Sequence, residues 1–217
     1  AASDVYKRQP HRVLPSGRIK PSSAKNLSIG LFITGFIAAA FVSRFHLALS
    51  VLAILMLFLY DFFVKKYPLV GNLVIAILSS TLLIFAAGPF PNLLVLFAAG
   101  YAFLLHLARE IIKDIQDYTG DIIAGVKSLP IVWGIKKSAV LTSGLLFAFL
   151  ILLFLPYIMG IFKPIFLYVA LFLILPATLF IILDLLLSSP NEKKMAFLSS
   201  LVKGIMILGL LALLLGK

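Results

Sequence analysis

The apolar residues of this chain come in long blocks, and this feature constrains the fold more than any other. Each block approaches the ~20 residues that a helix needs to cross a bilayer. Backbone groups in hydrocarbon must hydrogen-bond internally, and the alternating pattern of a membrane β-barrel is lacking. The sequence therefore predicts an all-α, multi-pass transmembrane helical bundle. Its seven predicted spans are 27–43, 46–63, 70–88, 92–108, 139–157, 164–183 and 197–215.

Composition and charge narrow the possible partners. Only 12% of the residues are charged, whereas soluble domains carry about 25%. The absence of cysteine excludes disulfides, thiolate zinc sites and cysteine nucleophiles. A net charge of +11 is typical of some nucleic-acid-binding proteins, but here the basic residues lie in short loops between apolar blocks. We therefore expect the lipid bilayer as partner and no nucleic acid, while the oligomeric state is left open.

The basic residues also predict an orientation. If the spans alternate in direction, all but three of the 19 lysines and arginines lie on the side of the N-terminus; the exceptions are Arg44, Lys163 and Lys217. Cytoplasmic loops carry such an excess, so we expect a cytoplasmic N-terminus in the plasma membrane. All eight acidic residues fall on that same side. Any chemistry is therefore expected at the cytoplasmic face.

Four acidic residues follow the fourth apolar block within a short stretch. On a continuous helix, Glu110, Asp114, Asp117 and Asp121 would fall within an arc of about 60°. Like charges on one face repel, and a cation would relieve that repulsion. Carboxylates are preferred ligands of Mg²⁺, which commonly binds one or two of them together with substrate phosphates. The alternatives are a solvated acidic helix end paired with local lysines, and a helix that ends at Gly120 and turns Asp121 away.

Basic and amide side chains near this row are candidates for contacts to a phosphate. The basic ones come from residues 10–20, from residues 60–72 and from the acidic stretch itself: Arg12, Arg18, Lys65, Lys66, Arg109, Lys113 and Lys127; Asn72 also lies in the second of these stretches. Arginines on a tight turn suit a diphosphate. The first two stretches also fit ordinary basic loops that face anionic lipid, so the residues alone leave both interpretations open.

The sequence REIIKDIQDYTGDIIAGVKSLPIVWG, residues 109–134, closely resembles the second aspartate motif of the UbiA family of intramembrane prenyltransferases. The matching positions are Asp114, Asp117, Asp121, Gly125, Lys127, Ser128, Leu129 and Pro130. Residues 10–20, PHRVLPSGRIK, look like the loop that follows the family's first aspartate motif. Residues 60–72, YDFFVKKYPLVGN, resemble its Tyr–Lys–Gly–Asn stretch, and all three stretches occur in the family's order.

The resemblance implies nine transmembrane helices around a cavity open to lipid, with Mg²⁺ and a prenyl diphosphate at the cytoplasmic side. By this resemblance, Asp114, Asp117 and Asp121 are the catalytic Mg²⁺ ligands. The implied substrate-binding residues are Arg12, Lys65, Lys66, Asn72, Arg109 and Lys127. The implied reaction is transfer of the prenyl group to a lipid-soluble acceptor.

One departure from the family pattern is large. The first aspartate motif should precede residues 10–20, with its last aspartate at Val5, but only Asp4 lies nearby. We therefore expect residues 1–9 to be non-native, and residues 10–217 to be a prenyltransferase domain that lacks two helices and is inactive alone. Within the family, the sequence of this motif most resembles that of the branch that makes archaeal ether-lipid precursors. Members of that branch transfer geranylgeranyl to geranylgeranylglyceryl phosphate. An aromatic acceptor, of the quinone or chlorophyll type, is the alternative.

Two functions of other classes also compete. A cation-coupled transporter would use the acidic row as an ion site, but such sites usually lie near the bilayer midplane. Here every acid lies at or outside the inner boundary of an apolar block, which favours an enzyme at the membrane interface. A non-catalytic membrane scaffold is the other alternative, and it leaves the acidic row unexplained.

Overall fold

Helices dominate the computed structural model, which describes residues 13–14, 16–63 and 67–216. Seven helices in this part of the chain are long and apolar enough to cross a membrane, which confirms the predicted all-α bundle. They are α1 (Pro21–Val42), α2 (Arg44–Phe62), α3 (Val70–Ala87), α4 (Leu93–Gln116), α7 (Ile135–Ile158), α8 (Pro164–Leu187) and α9 (Glu192–Leu215). Two short helices, α5 (Tyr118–Ile123) and α6 (Leu129–Trp133), connect α4 to α7.

Some helices are longer than the apolar blocks that predicted them, because the polar residues that follow a block can also be helical. The predicted fourth span stops at residue 108, but α4 runs on to Gln116 and carries the first acidic residues with it. At the other end of α4, the Asn92 side chain accepts a hydrogen bond from the backbone N–H of Val95. Ser43 and Asn191 cap α2 and α9 in the same way. Such caps satisfy backbone donors that have no partner within the helix.

Helix α4 occupies the centre of the bundle and packs against α3, α7 and α9. Its buried residues include Ile111 and Ile112, which are fully enclosed. Gly100 brings α4 close to α7, because a Cβ there would lie only 2.8 Å from Leu152 Cδ2. Small residues at such positions let membrane helices approach closely, and dispersion contacts then hold them together.

A proline in α7 is accommodated by a side chain from α4. Pro156 has no N–H, so the carbonyl of Leu152, four residues earlier, loses its helical partner. The Tyr101 hydroxyl donates to that carbonyl at 3.3 Å and also lies 3.4 Å from the Leu153 carbonyl. The Tyr101 ring meets Phe149 edge-on at 5.7 Å. In hydrocarbon, neighbouring side chains commonly satisfy backbone groups that a proline releases.

The last two long helices are joined at both ends. At one end, Lys194 Nζ lies 2.9 Å from Asp184 Oδ1, and Ser188 Oγ donates to the same oxygen at 3.1 Å. At the other end, the Lys163 N–H donates to the Gly216 carbonyl at 2.9 Å. We call the first end, which also holds the start of α3 and the end of α4, the charged end of the bundle.

Candidate functional site

Helices α3 and α4 meet at the charged end through a hydrogen bond between their side chains. Asn72 Nδ2 donates to Asp114 Oδ2 at 2.8 Å, across 42 residues of sequence. Gly71 precedes Asn72 and leaves room for the Tyr60 ring of α2, whose Cε2 would lie 3.3 Å from a Cβ at that position. The charges of Glu110 and Asp114 also act on Tyr60. Three consecutive helices, α2, α3 and α4, therefore contribute to one site.

Glu110 is paired with neighbouring cations. Its Oε1 lies 2.8 Å from Arg109 Nη1 and 3.2 Å from Lys113 Nζ. Arg109, predicted to contact a phosphate, is thus engaged with Glu110, although its buried Nε has no hydrogen-bond partner among the described residues. This pairing offsets the negative charge of Glu110.

The helix that carries the acidic row is interrupted, and the interruption lies at Asp117 rather than at Gly120. Helix α4 ends at Gln116 and α5 starts at Tyr118. The backbone still hydrogen-bonds across the junction, since the Asp117 N–H reaches the Lys113 carbonyl at 2.8 Å and the Asp121 N–H reaches the Asp117 carbonyl at 2.9 Å. Asp121 is consequently buried, and its charge acts on Asp114.

The three predicted metal ligands do not form one converged cluster. Across residues 13–14, 16–63 and 67–216, no three acidic or histidine side chains lie together in a way that could hold a metal ion. Asp114 and Asp121 are within electrostatic reach of each other, while Asp117 lies at the helix junction between them in sequence. The predicted role of all three as Mg²⁺ ligands stays a prediction.

The loop after α5 folds back on Asp121. Gly125 adopts a φ of 64°, a left-handed conformation that glycine takes without strain. The Val126 N–H then donates to the Asp121 carbonyl at 2.9 Å. This turn leaves Lys127 exposed next to the acidic stretch, while Leu129 is buried at the start of α6. The turn thus leaves Lys127 exposed shortly after the acidic stretch, with no hydrogen bond or ion pair to the described residues.

Three of the predicted substrate-binding residues, Arg12, Lys65 and Lys66, lie outside the described residues, and their roles stay predictions. Two other residues of the site were not among the predicted contacts. Tyr60 belongs to the stretch that resembles the family's Tyr–Lys–Gly–Asn sequence, which is the signal that could have identified it. Glu110 belongs to the acidic row, but its pairing with Arg109 and Lys113 depends on side-chain conformation.

An apolar cavity of about 250 Å³ lies between α3, α4, α7 and α9. Tyr101, Leu105 and His106 of α4 line one wall, and Met206, Leu210 and Leu213 of α9 line another. His106 lies one helical turn before Glu110, so the cavity begins about one turn from the acidic row and extends towards the middle of the bundle. A carboxylate site next to an apolar cavity can hold a molecule with a charged head and a hydrocarbon tail.

Comparison with known proteins identifies the family of this chain. A model of the UbiA prenyltransferase family matches residues 2–203. Digeranylgeranylglyceryl phosphate synthase of Methanopyrus kandleri is 34% identical over 210 residues, which cover 95% of this chain and 75% of that protein. The synthase of the same name from Methanocaldococcus jannaschii is 36% identical over 209 residues, covering 96% of this chain and 73% of that protein.

A solved structure shows the same similarity in three dimensions. It comes from work on digeranylgeranylglyceryl phosphate synthase in membranes, and it superposes with a TM-score of 0.74 at 33% sequence identity. The match covers 99% of this chain and 78% of the solved chain. Sequence and fold therefore indicate the same group of proteins.

Proposed function

Because this chain belongs to the UbiA prenyltransferase family and is therefore a prenyltransferase, we propose that it transfers a geranylgeranyl group from geranylgeranyl diphosphate to geranylgeranylglyceryl phosphate, in ether-lipid synthesis. The names of relatives that share about a third of their residues with it support this donor and acceptor. Membership of an enzyme family sets aside the transporter and scaffold interpretations.

The observation that carries the proposal is the hydrogen bond between Asn72 and Asp114. It joins α3 and α4 at the charged end. The apolar cavity begins about two turns further along both helices, where Ser79 and His106 line it. A prenyl diphosphate needs this combination, because its diphosphate must be held by polar groups while its isoprenoid chain is kept out of water. The cavity would bury the chain, and the charged end would receive the diphosphate.

Mg²⁺ is the metal that these residues suit. It typically binds one or two carboxylates and completes its shell with substrate phosphates and water. Asp114 and Asp121 lie close enough for their charges to interact, and Asn72 fixes the direction of the Asp114 carboxylate. When bound, Mg²⁺ would neutralise charge on the leaving diphosphate and favour its departure. Asp117 would be a further ligand.

The protein's own side chains supply the rest of the mechanism. Asn72 would orient Asp114, as second-shell groups do at metal sites. Lys127, exposed on the loop that Gly125 turns back, would offer a cation to the diphosphate. The apolar walls formed by residues such as Leu105 and Phe149 would exclude water, which protects the allylic cation from hydrolysis. After the bond between the allylic carbon and the diphosphate oxygen has broken, the acceptor hydroxyl oxygen would bond to that carbon, and its proton would pass to the released diphosphate or to water.

The proposed location follows from the charge pattern. The charged end would face the cytoplasm, since basic residues concentrate there. The water-soluble diphosphate and Mg²⁺ would then have access to Asp114 and Asp121 from the cytoplasm, while both isoprenoid chains remain in the bilayer.

A transfer assay tests the proposal. The full-length protein in membranes would receive labelled geranylgeranyl diphosphate and Mg²⁺, with geranylgeranylglyceryl phosphate or an aromatic acid as acceptor. We expect product only with the lipid acceptor, and we expect EDTA to abolish it. Asp114→Asn and Asp121→Asn should each reduce the rate by more than the roughly 10- to 100-fold typical of second-shell changes.

Glu192→Gln is the matched control, because Glu192 is an exposed carboxylate at the same end of the bundle but in the first turn of α9. It should keep wild-type activity. If product formed only with the aromatic acid, the acceptor would be an aromatic compound and not geranylgeranylglyceryl phosphate. Full activity in EDTA would contradict the role of the metal.

A further inference from the structure

Lys203 is a charged residue inside a membrane-spanning helix. It is the twelfth of the 24 residues of α9. Its side chain is exposed and makes no hydrogen bond or ion pair with the described residues. A charge within a span is costly and usually marks a functional site. Neither the acidic row nor the predicted diphosphate contacts account for this lysine.

Lys203 does not line the apolar cavity, but on α9 it lies between the lining residues and the charged end. Three residues of α9 that line the cavity lie within about 80° of Lys203 around the helix axis, at 100° per residue; they are Met206, Leu210 and Leu213. Lys203 is about one turn nearer the charged end than Met206. On the opposite wall, His106 lines the cavity and Glu110 lies one turn nearer the charged end. Helices α4 and α9 pack directly together.

The two substrates of the proposed reaction pose an electrostatic problem between the cavity and the charged end. The donor brings a diphosphate and the acceptor brings a separate phosphate, and two anions in a site of low dielectric repel each other strongly. Arg109 and Lys113 are already paired with Glu110, so neither is free to neutralise the second anion. A further cation away from Asp114 and Asp121 would offset the charge of the second anion.

We propose that Lys203 binds the phosphate of the acceptor lipid, so that the acceptor's isoprenoid chain lies along Met206 and Leu210. This inference rests on the proposed function, because it assumes an acceptor that carries a phosphate. It assigns the acceptor head to α9, opposite the carboxylates of α4. The flexible stem of Lys203 lets the ammonium reach towards the charged end while the stem stays against apolar groups.

The experiment compares Lys203→Gln with the wild-type full-length protein in nanodiscs of uncharged lipid. We expect the KM for geranylgeranylglyceryl phosphate to rise roughly 10- to 100-fold, the usual range for loss of a charge-assisted hydrogen bond. The KM for geranylgeranyl diphosphate should stay within about twofold, because the donor is held elsewhere. Lys203→Arg should restore the acceptor KM, and Lys193→Gln, an exposed lysine in the first turn of α9, should leave it unchanged.

Two further measurements separate the explanations. Geranylgeranylglycerol, the acceptor without its phosphate, should be used equally by wild type and Lys203→Gln. Direct binding of geranylgeranylglyceryl phosphate without donor should weaken in Lys203→Gln, and this readout needs no turnover.

An unchanged acceptor KM and unchanged binding would overturn the inference. So would an equal loss with geranylgeranylglycerol, which would indicate a structural role. An effect seen only in nanodiscs of anionic lipid would also overturn it, since Lys203 would then serve the bilayer. The two hypotheses can also fail separately. If Lys203→Gln weakened binding of the acceptor but the wild-type protein transferred no prenyl group, the proposed function would be refuted and the phosphate site supported.

Discussion

Helices α2 and α4 are both apolar and both long enough to cross a membrane, but they differ sharply in what surrounds them. In the most apolar 18-residue segment of α4, half of the residues are buried inside the bundle, whereas in the corresponding segment of α2 none is buried. Helix α1 is nearly as exposed, with Ala39 as its one buried residue. The central helix carries Asp114 at one end and Tyr101 near its middle, so the same helix builds both the core and the site.

The difference between these helices shows that apolarity does not determine helix packing in a membrane. Lipid is as apolar as leucine, so helices are not driven together by the exclusion of water. Close packing instead requires small residues and polar contacts between helices. Helix α4 has Gly100 against Leu152 and Asp114 against Asn72. Over α2, no residue is buried, so its apolar side chains are free to contact lipid.

The largest expected difference between the site and the exposed helices is in the transfer rate, and it depends on the contact between Asn72 and Asp114. Asn72→Ala should lower the transfer rate roughly 10- to 100-fold, the effect of removing a group that orients a metal ligand. Asn26→Ala, in exposed α1, should leave the rate unchanged. Steady-state rates with unchanged thermal unfolding would show that the loss is chemical. Equal transfer rates for the two variants would show that Asn72 has no role in the reaction.

Substituting a glycine by a larger residue should destabilise the protein more in the packed helix α4 than in the exposed helix α1. Gly100→Val places a branched side chain against Leu152 and should destabilise the protein by about 1–3 kcal/mol, as overpacking does. Gly30→Val in α1 is the matched variant, because a Cβ there meets nothing within 4 Å. Thermal unfolding in detergent measures both. Similar losses from the two substitutions would mean that α1 is packed as tightly as α4.

The smallest effect is expected from the hydroxyl of Tyr101. Tyr101→Phe leaves the Leu152 carbonyl without a partner beside Pro156. The expected cost is below about 1 kcal/mol, because hydrogen bonds between membrane helices average about 0.6 kcal/mol. Tyr168→Phe, at an exposed position of α8, should change the unfolding temperature even less. If Tyr168→Phe had the larger effect, the hydrogen bond of Tyr101 would not stabilise α7.

Much of the architecture could be predicted because it depends on local properties. The apolar blocks located all seven long helices, and the largest errors at their ends were eight residues, where α4 continues to Gln116. Charged side chains end an apolar block without ending a helix, so hydropathy alone could not find that boundary. The interruption at Asp117 was also missed, because no proline or glycine occupies that position.

The candidate site could be predicted less completely. Asp114 and Asn72 were both identified as site residues, and the structure joins them directly. The pairing of Glu110 with Arg109 and Lys113 was not predicted. Residues at i and i+1 usually point to different sides of a helix, so the contact between Arg109 and Glu110 depends on how their long side chains bend.

By itself, the sequence determined the class of fold, the number of long helices in the described residues and the kinds of side chain available for chemistry. These follow from segment length and residue type, which the bilayer converts directly into helices. Only the tertiary structure decided which helix lies at the centre, that Asn72 meets Asp114, and which helices enclose the apolar cavity. Those facts depend on contacts between residues far apart in the chain, and in lipid no general force specifies which apolar faces meet.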